Sequence, residues 1–164
     1  MMVSSEPSNP IWKKFDEVEL THSSEHHLIA IYRLLDEYGY ARGTDIAKFL
    51  NLTRGSVSIT LGKLEEKEYI STDVNKFYKL TSKGQDVVEN ILRKRDILRK
   101  FFGDVLGLRG DEAKIEADKI EHLISETASD RLEELVESFL TDSSEARQFR
   151  NMLSFPKQQP EAGK

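Results

Sequence analysis

The stretch TDIAKFLNLTRGSVSITLGKL, residues 44–64, reads as two short helices joined by a tight turn. Thr44 is suited to cap the first, and Ile46, Ala47, Phe49 and Leu50 recur at a spacing that turns them inward. Asn51-Leu52 makes the turn, and Thr53 opens the second helix, whose inner face is Val57, Leu61 and Leu64. Two short helices so closely joined form a helix-turn-helix.

Working outward, an earlier helix starts at Ser23 or Ser24, carries Leu28, Ile31, Leu34 and Leu35 on one face, and ends at Tyr38-Gly39. Downstream, Tyr69–Thr72 and Phe77–Leu80 read as short strands, with turn-forming Asp73-Val74-Asn75-Lys76 between them. This hairpin makes a wing. Thr81 then caps a long helix to about Leu106, lined by Val88, Ile91, Leu98, Phe102 and Val105. Gly107 and Gly110 punctuate the chain. Asp111 caps a helix to about Ile124. Another runs from about Ala128 to Leu140, with Leu132, Leu135, Val136 and Phe139 on one side. Ser143 or Ser144 caps a last short helix bearing Ala146, Phe149, Met152 and Leu153.

The expected fold is mostly α with a small β-hairpin wing. A winged helix-turn-helix domain spans 21–84 and an all-α domain spans 85–155. Residues 1–20, with Trp12 and Phe15, read as an N-terminal arm, and 156–164 as a disordered polar tail.

Composition limits the function classes. The 164 residues are 38% hydrophobic and 32% charged, with no cysteine. This excludes disulfides and thiolate metal sites. No apolar run reaches the roughly 18 residues of a membrane span, and no signal pattern opens the chain, so a cytoplasmic location is expected. The formal net charge is −5. It is unevenly spread: residues 39–101 hold 13 Lys and Arg against 8 Asp and Glu. A basic middle between acidic flanks suits a segment that reads double-stranded DNA.

The helix opened by Thr53 carries that reading. Opposite its apolar face lie Gly55, Ser58, Ile59, Gly62 and Lys63, with Thr53, Arg54 and Ser56 in the first turn. The face is short, polar and basic, as a major groove about 12 Å wide requires. Arg54 can take guanine edges, Ser56 and Ser58 can reach bases or phosphates, and Ile59 can meet a thymine methyl. Lys63, Lys76 and Lys79 would bind phosphates. Arg42 joins this set.

Several pieces then resemble the DtxR/MntR metalloregulators, from about Thr21 to Leu140. They are Ser24-Glu25 before Ile31-Tyr32, Gly-Tyr-Ala-Arg at 39–42, Asp45-Ile46-Ala47, Ser56-Val57, and Leu80-Thr81-Ser82-Lys83-Gly84. Val105-Leu106-Gly107, Glu121-His122, Ser125 and Asp130-Arg131-Leu132 follow in order. The manganese-responsive branch looks closer, because the sequence ends without an SH3-like third domain. The resemblance implies a homodimer in which bound metal orders two reading heads on a palindromic operator.

It also implies metal ligands, which must be carried over one position at a time. The first-helix ligand falls on His26, and the second carboxylate of the manganese branch falls on Ile29, which cannot ligate. A later triad falls on Asp118, Glu121 and His122, whose spacings share one helical face. A histidine that builds a second metal position in the family falls on Arg95, which cannot ligate. Either the Arg95 guanidinium replaces that second metal by pairing with Glu121, Asp118 or another acid, or it snorkels to solvent. The first option leaves one site of His26, Asp118, Glu121 and His122. Such ligands suit Mn(II) or Fe(II), with Zn(II) or Co(II) as further fits. His22 joins the site if the first helix starts early; otherwise His22 and His27 read as exposed.

Two other readings compete. A winged-helix regulator could have lost or altered its metal switch, given Ile29 and Arg95. A metal-dependent hydrolase could use the D-x-x-E-H cluster. The chain has neither an H-E-x-x-H helix nor a Gly-rich phosphate loop. The expectation is a repressor of metal uptake rather than an enzyme.

Overall fold

The structure is a computed structural model that describes residues 20–152. It divides into two compact units, with the boundary between Val88 and Glu89. The arm before Leu20, Leu153 and the C-terminal tail lie outside the described residues.

The first unit opens with α1 (His22–Tyr38). Its cap is Thr21, not Ser23 or Ser24: the Thr21 Oγ1 accepts the Ser24 amide at 3.3 Å. The helix therefore begins earlier than expected, at His22. It ends at Gly39, whose φ of 76° suits glycine and lets its amide donate to the Leu35 carbonyl. α2 (Gly43–Leu50) begins after Arg42 rather than at a Thr44 cap. Arg42 is extended because it forms a β-bridge with Phe77. Asn51 takes the left-handed turn (φ 53°), and Thr53 caps α3 (Arg54–Glu66) through a 3.2 Å bond from the Ser56 amide.

β1 (Ile70–Thr72) and β2 (Tyr78–Leu80) are antiparallel, with Ile70 opposite Leu80. Each strand begins one residue later than the sequence suggests. The connecting turn is held by Asp73, whose Oδ1 accepts the amides of Asn75 (2.8 Å) and Phe77 (2.9 Å). The base of the wing explains the Leu-Thr-x-x-Gly sequence. Thr81 donates its hydroxyl to the Glu68 carbonyl at 2.7 Å and accepts the Gly84 amide at 3.1 Å. A Cβ on Gly84 would stand 2.0 Å from the Tyr69 carbonyl oxygen, so only glycine fits. Leu28, Ile31, Ile46, Val57, Leu64, Tyr69 and Ile70 are buried core. Phe49 is exposed instead of inward, because it lies at the edge of the arc set by Ile46, Ala47 and Leu50.

α4 (Ser82–Lys100) crosses from the first unit into the second. It does not continue as an α-helix to Leu106: Phe101–Val105 forms a π turn, with the Leu106 amide reaching back to Phe101 at 2.9 Å. α5 (Gly110–Ile120) has Arg109 at its cap, not Asp111; the Glu112 carboxylate accepts the Arg109 amide at 3.4 Å. The helix stops four residues before Ile124, although Glu121 keeps helical dihedrals (φ −52°, ψ −31°). α6 (Glu126–Leu140) starts two residues before Ala128 because Ser125 caps it at 3.2 Å. In α7 (Ser144–Met152), Ser143 accepts the Ala146 amide at 3.0 Å. Val105, Val136 and Phe139 form a buried cluster, with Phe101, Leu106 and Leu132 packed on it. Leu135, Phe149 and Met152 are exposed, against the inward expectation. Leu135 lies about 100° round α6 from the buried Val136, which turns it off the core.

Candidate functional sites: a reading helix and a carboxylate–imidazole cluster

The exposed face of α3 is built by its own spacing. Val57, Leu61 and Leu64 are buried, which forces Arg54, Gly55, Ser56, Ser58, Ile59, Gly62 and Lys63 outward. Thr53 is exposed at the cap, although its hydroxyl is engaged with the Ser56 amide. Gly55 and Gly62 are seven residues apart, on one line with Ser58 and Ile59. A Cβ on either glycine would meet nothing within 4 Å. Each glycine costs the helix about 1 kcal/mol relative to alanine, and no internal packing explains that cost.

Cations flank this stripe. Arg54, Lys76 and Asn75 line a groove of about 320 Å³ with Arg42, Ser58 and Tyr78. Arg42 lies over the Phe77 ring at 4.8 Å and near Tyr40 at 5.3 Å, which fixes its guanidinium beside the wing. Lys79 is exposed on β2, and Lys76 is exposed in the turn at φ 61°. Val74, at the hairpin tip, is 97% exposed. Residue-type reasoning passed over it as a turn position, yet an apolar tip is a feature a groove-reading wing can use.

The first-unit imidazoles sit at the start of α1. Because Thr21 caps the helix, His22 and His26 occupy positions i and i+4. Their Nε2 atoms are 3.2 Å apart, and the rings are edge-on at 4.4 Å. His22 is exposed and His26 half-buried. His27 is buried, contrary to the sequence expectation. It lies on the same face as Ile31 and Leu34, and its Nδ1 donates to the Ser23 carbonyl at 2.6 Å. Ile29 belongs to the core.

In the second unit, Asp118 is on α5, whereas Glu121 and His122 lie just past its end. Glu121 has a fully buried side chain. Arg95 of α4, with only 15% of its side chain exposed, grips it through both oxygens: Nε donates to Oε2 and Nη2 to Oε1 at 2.5 Å. The His122 Nε2 lies 3.1 Å from Glu121 Oε1. Asp118 is exposed and faces two guanidinium groups, Arg95 at 3.4 Å and Arg99 at 3.1 Å. Burial alone would push the Glu121 carboxyl up, but bonds from Arg95 and His122 reverse this and lower it to about 2. The Arg95 guanidinium is in turn held more firmly charged by Glu121, against the opposing effect of burial.

Both acids already face guanidinium groups, Glu121 that of Arg95 and Asp118 those of Arg95 and Arg99. An ionised carboxylate has about four acceptor sites, so Glu121 can keep Arg95 and still offer a lone pair. A cation beside residue 95 would meet a fixed guanidinium.

Residues 19–76 match the N-terminal DNA-binding domain of the iron-dependent repressors, and residues 81–150 match their metal-binding and dimerisation domain. The chain belongs to this family, the DtxR/MntR metal-dependent regulators. Among solved DtxR/MntR-type structures, the manganese regulator SloR is 27% identical, over 72% of this chain and 55% of SloR, with a TM-score of 0.63. IdeR from T. acidophilum is 27% identical over 72% of this chain and 55% of its own, with a TM-score of 0.60. ScaR with bound Zn2+ is 26% identical over 70% and 53%, with a TM-score of 0.64. The chain thus spans about half the length of these relatives. No helix among the described residues is long and apolar enough to cross a membrane.

Proposed function

We propose that this chain is a transcriptional regulator whose grip on DNA responds to a divalent first-row metal, working as a homodimer on a palindromic operator. The observation that carries the reading is the Gly55–Ser58–Ile59–Gly62 stripe on α3: two unpacked glycines let the helix backbone approach a partner surface closely. Arg54 and Arg42 would read or brace against that surface. Lys63, Lys76 and Lys79 would hold phosphates and position the domain without choosing sequence.

For the metal we propose a single site, with His26, Asp118, Glu121 and His122 as ligands and Arg95 standing in for a second cation. A bound metal would supply positive charge that favours one arrangement of the chain among several. His26 supplies an imidazole donor. Arg95 keeps Glu121 ionised and oriented through both oxygens, and His122 lies beside one of them, Oε1. Mn(II) or Fe(II) fits by family likeness, and Zn(II) or Co(II) by ligand chemistry. Apolar residues left exposed on the second unit, such as Leu135 and Leu140, supply surface for a dimer seam. Repression of metal uptake is the regulatory output we propose. Half-sites would lie about one DNA turn, or a multiple, apart.

A titration of Mn(II), Fe(II) and Zn(II), reading metal stoichiometry and operator affinity together, tests this. We expect one metal per protomer and a rise in DNA affinity of about 5–150-fold. Unchanged DNA binding with metal would favour a second reading, a winged-helix regulator without a switch. The occupation of Glu121 by Arg95 is what favours that alternative. Turnover of generic ester substrates would instead support hydrolase chemistry and overturn both.

A further inference from the structure

The proposed ligand set takes one residue from α1, yet α1 presents two imidazoles side by side. We infer that His22 and His26 together form a chelating pair for the regulatory cation, which makes the site richer in nitrogen than its carboxylates suggest and biases it toward Zn(II) or Co(II) over Mn(II). The inference rests on the metal-responsive reading above and goes beyond it by adding His22 and naming the metal class.

The geometry is specific. Zinc–imidazole bonds of about 2.0–2.1 Å at a tetrahedral angle put two ligand nitrogens about 3.3–3.4 Å apart. The two Nε2 atoms stand 3.2 Å apart, so a cation can take both once the rings, now edge-on at 4.4 Å between centroids, turn both nitrogens toward it. Without metal, the same separation is a hydrogen bond in which one ring carries the shared proton. With metal, both rings carry their proton on Nδ1 and both Nε2 lone pairs point at the ion. The spacing comes from the helix itself: Thr21 starts α1 one residue before His22, and i and i+4 side chains then lie one above the other.

The carboxylates point the same way. Glu121 has both oxygens on Arg95, and Asp118 faces Arg95 and Arg99. Two guanidinium groups already neutralise these two acids, which lowers their pull on a hard, oxygen-seeking cation. Imidazole carries no charge to neutralise and suits borderline metals such as Zn(II) and Co(II).

The test uses the full chain with Co(II), Zn(II) and Mn(II) added singly, without DNA. Affinity is read by calorimetry and Co(II) coordination by visible absorption. His22→Ala is expected to weaken Co(II) and Zn(II) binding by about tenfold or more and to change the Co(II) spectrum. It should alter Mn(II) affinity much less. His22→Glu should restore binding but shift preference toward Mn(II). Because His22 is exposed, circular dichroism should show an unchanged fold. Wild-type Co(II) affinity and spectrum in His22→Ala would overturn the inference. A parallel DNA-binding assay separates the two readings. Loss of Co(II) affinity in His22→Ala, with DNA binding that ignores every metal, sinks the regulator and keeps the pair. Metal-dependent DNA binding with an indifferent His22→Ala sinks the pair and keeps the regulator.

Discussion

The two units use their cations in opposite ways. On α3 and the wing, Arg54, Lys63, Lys76 and Lys79 stand exposed. In the second unit, Arg93 is held by Asp130 at 2.8 Å and Glu133 at 2.9 Å, Arg95 by Glu121, and Arg99 by Asp118. Lys94 donates to the Ile124 carbonyl at 3.0 Å, and Lys100 pairs with Asp96 at 2.6 Å. Five of the 13 cations in the basic middle therefore brace helices of the second unit. Net charge over a stretch of sequence overstates what faces DNA, because it counts buttresses together with probes. An exposed lysine keeps its field for an approaching polyanion, whereas a guanidinium shared with a buried acid has little left to give.

The sharpest way to break this contrast is Arg95→Met. It leaves the Glu121 carboxylate buried without its main partner, and we expect a loss of about 3–5 kcal/mol in urea unfolding. The pH profile should change sign as well. Glu121 titrates lower in the fold than its ordinary value, so its contribution to wild-type stability is present above about pH 4.5 and is lost as pH falls toward about 2. In Arg95→Met, burial raises the carboxyl instead, and stability should fall as pH rises through its new value. Retention of the wild-type acid profile would show that Arg95 is not what holds Glu121. Next in size is Gly84→Ala, which drives a Cβ into the Tyr69 carbonyl and should cost about 1–3 kcal/mol in a thermal melt.

Effects on the exposed side should appear in binding rather than folding. Arg54→Ala should lose about 1–3 kcal/mol of discrimination between operator and altered sequence, measured by anisotropy, with little change in stability. Lys79→Ala should be smaller still, weakening all DNA evenly and reducing the salt slope by about one. An Arg54→Ala effect equal on every sequence would make it a phosphate contact and narrow the gap between the two kinds of residue.

The winged helix was legible because its signals are local. Asn51, Thr53 and Asp73 each specify a turn or cap within a few residues of themselves, and Thr81 caps α4 by accepting the Gly84 amide. The second unit was less so. Arg95 could be read as a cation that either pairs with an acid or snorkels to solvent, but Glu121 lies 26 positions away, and sequence left Asp118 and other acids equally open. The π turn at Phe101–Val105 is invisible to periodicity, since either ladder leaves an apolar stripe through Leu98 and Val105. His27 was misread because two neighbouring histidines look alike in a row, while the helix sends one toward the core and leaves the other half-buried. The cap at Thr21 mattered most for the candidate site: a helix that starts two or three residues earlier is what sets His22 beside His26.

That π turn carries a consequence for how the protein tolerates change in length. A π turn is an α-helix holding one residue too many. Deleting a residue within Phe101–Val105 would return the backbone to α-helical pairing and leave the residues after it in nearly their present angular places. Adding one would push Leu106 and Gly107 round the axis by about 100°. The segment is the one stretch of α4 and its continuation where the chain can become shorter without losing its register.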